Sequence, residues 1–161
     1  MNNSPEKYFE RMIELGRKKY GYLQDILALT QKQTAVIVED GIEVLGQLIN
    51  EKQKVIEEID RLDEEYGVYF QRLKTVLKIT DLADVDASKT EGAKKLKDVT
   101  SGLMELIKQI KELETSNNEK AHKLYNHFGE EIRKISAGKK MTSAYAPKGE
   151  NPPSFYIDKK K

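Results

Sequence analysis

At 161 residues the chain suits one domain, or one bundle with tails, and 34 % charged against 38 % hydrophobic residues lies nearer the coiled-coil class than a compact α/β core. The 28 Lys and Arg nearly balance 27 Asp and Glu, so nucleic acid and anionic membranes, which need a concentrated basic face, are poor default partners. There is no cysteine, which excludes disulfides and thiolate chemistry, and the longest aliphatic run, residues 35–38, is far too short for membrane insertion. The polar residues 1–7 show no signal peptide, and the expected location is cytoplasmic.

All four prolines lie near the ends, at Pro5, Pro147, Pro152 and Pro153, leaving the intervening stretch free for uninterrupted helices. Ser4, Pro5 and Glu6 read as N-cap, N1 and N2 of a first helix over about residues 5–38. Its stripe is Phe9, Met12/Ile13, Gly16, Tyr20, Leu23, Ile26/Leu27, Thr30, Thr34 and Ile37. The break at Glu39-Asp40-Gly41 is short, so helices one and two are expected to form an antiparallel hairpin; one continuous helix is the alternative.

The second helix spans about residues 41–79. Asp40 is expected to cap it, with Glu43 as a capping-box mate. Its apolar positions, from Ile42, Leu45 and Leu48/Ile49 through Val55/Ile56 and Ile59 to Tyr66, Phe70 and Leu73, alternate in steps of three and four. The residues between them, Lys52 included, are mostly charged or amide and read as the solvated face. At about 1.5 Å per residue such a helix is roughly 55–60 Å long and must bury its seam against others.

Residues 80–88 interrupt the pattern and form a linker, with one short helical turn started by Thr80 or Asp81. Ser88 or Thr90 caps a third helix, about residues 89–136, with Glu91 in its first turn. Its stripe is Leu96, Val99, Leu103, Leu106, Ile110, Leu113 and Asn117, and beyond Asn117 consecutive steps of four loosen the heptad. Residues 137–161 lack periodicity and are expected to be a disordered tail, though Tyr145 and Phe155-Tyr156-Ile157 interrupt its polar background. The expected fold is all-α: an elongated antiparallel, coiled-coil-like bundle of three long helices over residues 1–136, followed by a flexible tail. A homodimer, or a helical ligand supplying the missing seam, would complete its core.

Little here suggests catalysis. Glu119-x-x-His122 has the spacing of a di-metal carboxylate bundle, but such sites need the motif twice, and His127 lies about 140° further round the helix. Two surface histidines is the better reading. Adjacent carboxylates such as Glu57-Glu58 splay apart, and no nucleophile elbow or phosphate-cradling loop occurs. Neither a catalytic residue, a metal nor a cofactor is expected.

Leu23, Ile26 and Leu27, the amides Gln31 and Gln33, and Asp40 with Leu45 and Leu48 form a recognisable profile with Lys52-Gln53, Val55-Ile56, Ile59 and Leu62. It resembles the FlgN family of flagellar export chaperones, and the later Asn117-Asn118 and Leu124 and the aromatic tail are similar too. The resemblance implies binding without catalysis: capture of the C-terminal segments of hook–filament junction proteins and their delivery to the flagellar type III export gate. On that reading the client groove is expected on the third helix, at Leu106, Ile110, Leu113, Ala121, Leu124 and Phe128. Tyr145, Phe155 and Tyr156 in the tail would dock on the gate. A dimeric coiled-coil scaffold with no export role is the rival reading, and a di-metal enzyme a distant third.

Overall fold

A computed structural model describes residues 4–85 and 90–126. Among them are three α-helices, α1 (Pro5–Val36), α2 (Ile42–Leu77) and α3 (Glu91–Tyr125), a single 3-10 turn at Leu82–Asp84, and no strand. This is the all-α order that the periodicity predicts. The expected extension of the third helix to residue 136, and the tail, lie outside the described residues.

Local chemistry sets most of the helix ends. The Ser4 carbonyl accepts from the amides of Lys7 and Tyr8, placing Ser4 at the α1 cap with Pro5 first in the helix. The Thr90 carbonyl accepts from Lys94, so Thr90 has that place before α3. In the linker, Asp81 caps the 3-10 turn: its carboxylate accepts from the Ala83 amide, while that of Asp84 accepts from the amides of Thr80 and Asp81. These bonds hold the Asp84 carboxyl below the usual aspartate range.

One expected cap is corrected. The Gly41 carbonyl accepts from Leu45 and its amide donates to Val38, so the α2 cap falls on Gly41 and not on Asp40. Side-chain bonds from Asp40 and Glu43 are not formed among the described residues. A Cβ at Gly41 would lie 2.0 Å from the Val36 carbonyl oxygen, so the turn closes only over glycine.

At the far end of α2 the Ile79 amide donates to Lys74 across a Schellman turn, and Lys78 takes the left-handed conformation, φ 56°. A Cβ there costs about 1 kcal/mol. Lys78→Gly is therefore expected to raise stability by about 0.5–1 kcal/mol, read from the denaturant midpoint.

The helices pack in two compact units. The first holds residues 4–21, 60–85 and 90–105. Within it α1 and α2 run antiparallel: Arg11 donates to Glu65 through Nε (2.9 Å) and Nη2, and Lys19 Nζ donates to Asp63 at 2.8 Å. A parallel register joins α1 and α3, with Phe9 beside Gly92 and Gly16 beside Val99. The core includes Phe9, Met12, Leu15, Tyr66, Phe70, Leu73, Leu96 and Leu103. Each large apolar side chain stabilises by about 1.5–3 kcal/mol on burial. The expected stripe position Tyr20 is 38 % exposed, whereas Lys19 beside it is buried. The reason is that α1 faces two partners at once, so it buries two adjacent rows rather than one.

Gly16 lets α1 and α3 approach closely, since a Cβ there would meet Val99 Cγ1 at 2.7 Å. Val99 is stiff at χ1 and yields little. Overpacking of about 1–3 kcal/mol outweighs the gain of roughly 1 kcal/mol in helix propensity, so Gly16→Ala is expected to destabilise. Adding Val99→Ala should recover part of the loss, which a thermal-unfolding double-mutant cycle would show.

The second unit holds residues 22–59 and 106–126. Here α2 is antiparallel to both neighbours: Lys52 meets Gln33 and Glu114, and Leu45 clusters with Ile37 and Ala121. Leu23, Ile26, Leu48, Ile56, Ile59, Leu106, Ile107 and Ile110 are buried in this unit.

Candidate functional site

The second unit has an unusual interior. Each helix places a polar side chain at one level: Gln33 from α1, Lys52 from α2 and Glu114 from α3. Lys52 is 1 % exposed and Glu114 3 %. The Lys52 ammonium donates to Gln33 Oε1 at 2.8 Å and to the Glu114 carboxylate. Burial pushes the lysine below its ordinary value, opposed by the charge and hydrogen bond of Glu114. Sequence reading placed Lys52 on the solvated face; the structure corrects this, because a neutralising partner comes from a helix 62 residues away.

Toward the α1–α2 turn a second polar contact joins α1 to α3. Asn117 donates to the Thr30 carbonyl at 3.1 Å and accepts from the Thr34 hydroxyl at 2.7 Å, and Lys120 donates to the Thr34 carbonyl at 2.9 Å. Such directional contacts fix register, since a slip of one turn strands each buried polar group.

Past Asn117 the interior turns apolar but is incompletely covered. Ile37, Leu45 and Ala121 are buried, and Val36, Ile42, Ile49 and Leu124 pack against them only half-buried. Val38 and Val44 are 44 % and 45 % exposed nearby in the chain. A cavity of about 20 Å³, lined in part by Gln33, Glu114, Asn117 and Ile49, lies beneath. This rim offers apolar surface, and among the described residues no group of three His, Asp or Glu is placed to hold a metal.

The six residues expected to form a client groove fall into three groups. Leu106, Ile110 and Ala121 are buried in the protein's own core. Leu113 and Leu124 are half-buried, and Glu114 occupies the interior beside Leu113. Phe128 lies outside the described residues, as do the expected gate-docking residues Tyr145, Phe155 and Tyr156 and the histidine His127. His122, expected on the surface, is half-buried, and its buried Nε2 has no hydrogen-bond partner among the described residues. Sequence reading missed the contributions of Val36, Ile42 and Ile49 to the rim. Ile42 and Ile49 lie on the expected stripe of α2, whereas Val36 lies beside that of α1 at Ile37, and only contact shows that all three stay half covered.

Packed helices, a register fixed by internal polar contacts and a half-covered apolar rim describe an all-α helical bundle with apolar surface left to cover. The model of one protein family, described as FlgN protein, matches residues 1–153, and the chain belongs to that family. FlgN proteins are flagellar export chaperones, a non-enzymatic class that serves flagellum biogenesis. Searches of curated proteins and of solved structures return no match. No described helix is long and apolar enough to cross a membrane.

Proposed function

We propose that this protein binds the C-terminal helical segments of hook–filament junction proteins in the cytoplasm, keeps them soluble and delivers them to the type III export gate. The observation that carries this reading is the half-covered apolar rim around Ile37, Leu45 and Ala121. An amphipathic client helix has an apolar stripe of its own, and laying it against such a rim covers both surfaces. Leu124 and Leu113 contact the client, with Val36, Ile42 and Ile49 opposite. Leu106, Ile110 and Ala121 hold the wall from within, and Phe128 continues the stripe. Tyr145, Phe155 and Tyr156 serve as anchors on the gate, and deleting residues 144–161 should abolish gate binding while leaving client binding intact.

Calorimetric titration with junction-protein C-terminal segments tests the reading. One-to-one binding with Kd near or below about 1 μM, or roughly −8 kcal/mol, is the expected result. Absence of heat and of any mobility shift, in a sample with full helicity, would overturn it and leave the dimeric scaffold.

A further inference from the structure

We propose that Gly46 sets which partner helix the rim accepts: it leaves a notch on α2 that seats one large apolar side chain of an amphipathic helix with a basic flank. The inference rests on the client reading above and adds the position that reads the client's side chain. Ile42, Gly46 and Ile49 follow at steps of four and three, so they share one face of α2. The two isoleucines are half-buried members of the rim, and Gly46 between them is half-buried too.

Glycine is the poorest helix former after proline, so its place inside α2 calls for a physical reason. The backbone supplies none, since φ at Gly46 is not positive. Packing among the described residues supplies none either: a Cβ built there would meet nothing from another helix within 4 Å. Elsewhere in this chain a helical glycine marks the point where a neighbouring helix brings in a side chain. A Cβ at Gly16 would lie 2.7 Å from Val99 Cγ1, and one at Gly92 would lie 2.8 Å from Phe9 Cβ. At Gly46 the same kind of notch stands open beside half-covered apolar surface. A helix laid along Ile42 and Ile49 places a Leu- or Phe-sized knob over Gly46, between the two isoleucines.

Charge around the notch selects the partner's flank. Glu43 lies one turn before Gly46, and Glu39 and Asp40 lie in the adjoining turn between α1 and α2. All three are exposed, and among the described residues their side chains have no partner. Further along α2, the exposed Asn50 and Gln53 are uncharged. A helix with Lys or Arg beside its stripe, at the end nearest the turn, pairs with these carboxylates, whereas an acidic one is repelled.

Calorimetric titration of the full-length protein with junction-protein C-terminal segments tests the inference, with urea unfolding on the same samples. Gly46→Ala should keep or raise the urea midpoint, because its Cβ enters open space and alanine favours the helix, yet weaken binding about fivefold. Gly46→Leu should weaken it by roughly 30-fold or more. Gly21 is the control: it is half-buried in the first unit, and a Cβ there also meets nothing from another helix within 4 Å. Gly21→Leu should leave the affinity unchanged. Shortening the segment's large apolar residues to Ala one at a time should find one position that weakens the wild-type complex but restores binding to Gly46→Leu severalfold. Wild-type binding that Gly46→Leu leaves intact, or a loss that no position restores, would overturn this inference and leave client binding standing. So would a lowered midpoint in Gly46→Ala, which assigns the space to the chain itself. If Gly46→Leu alone lowers the midpoint, binding is read from Gly46→Ala. An affinity that does not fall severalfold between about 50 and about 500 mM salt would overturn the basic flank. No binding by the wild type overturns the client reading and this inference together.

Discussion

Lys52→Met is expected to lower stability by about 3–5 kcal/mol, a large part of the total for a chain of this size. The loss comes from what is left behind. Glu114, 3 % exposed, keeps a carboxylate whose partner is gone, and Gln33 loses a donor to its Oε1. Removing both charges tests this. Lys52→Met with Glu114→Leu should recover most of the loss, because a buried ion pair and an apolar replacement of similar volume are often close in free energy. A residual deficit of about 1 kcal/mol is expected from the unsatisfied Gln33 amide. Urea unfolding is the measurement, with midpoints shifting at constant slope.

The same pair predicts a pH dependence. Burial lowers the Lys52 pKa in the folded state below the ordinary value of 10.5. Between the folded and unfolded values the unfolded chain therefore binds more protons, so the Lys52 contribution to stability rises with pH and is complete above the unfolded value. Wild type minus the Lys52→Met/Glu114→Leu variant should show this positive slope on the alkaline side of neutrality. A flat or falling difference would show that Lys52 is at least as protonated folded as unfolded.

Two substitutions on α3, two heptads apart, are expected to separate folding from binding. Ile110 is fully buried, and Ile110→Asp places a carboxylate where no partner exists; a loss above about 4 kcal/mol should unfold the second unit. Leu124 is half-buried at the rim, so Leu124→Asp should cost about 1–2 kcal/mol and preserve helicity. Its effect on client affinity should be far larger, a loss of about 100-fold, since a carboxylate in a desolvated helix–groove contact costs near 3 kcal/mol. Circular dichroism and the titration described above give both readouts on the same samples. Unchanged affinity in a folded Leu124→Asp protein would remove the rim from the client site.

How far the site was legible follows from particular residues. On α2 the buried row 45, 48, 52, 56 and 59 includes Lys52, and on α3 the buried row 103, 107, 110, 114, 117 and 121 includes Glu114, one residue beside the expected stripe position Leu113. A charged residue in such a row looks like a break in the stripe when each helix is read separately. Read together, two such residues of opposite charge on different helices signal a buried pair. Lys19, between Leu15 and Leu23 on α1, is a third case, matched by Asp63. Leu113 was placed inside by its spacing, yet Glu114 takes the interior because its carboxylate meets Lys52 there.

The sequence by itself determined the helices, their order and most of their ends, since proline placement, caps and periodicity act over a few residues and need no partner. It also carried the family, whose profile is written along almost the whole chain. Tertiary structure alone decided which row of α1 is buried, which charges go inside, and where apolar surface is left half covered. Those outcomes depend on groups brought together from 44 to 83 residues apart, as in Lys19 with Asp63 and Thr34 with Asn117, and the free energy of burying a charge changes sign with the presence of its partner.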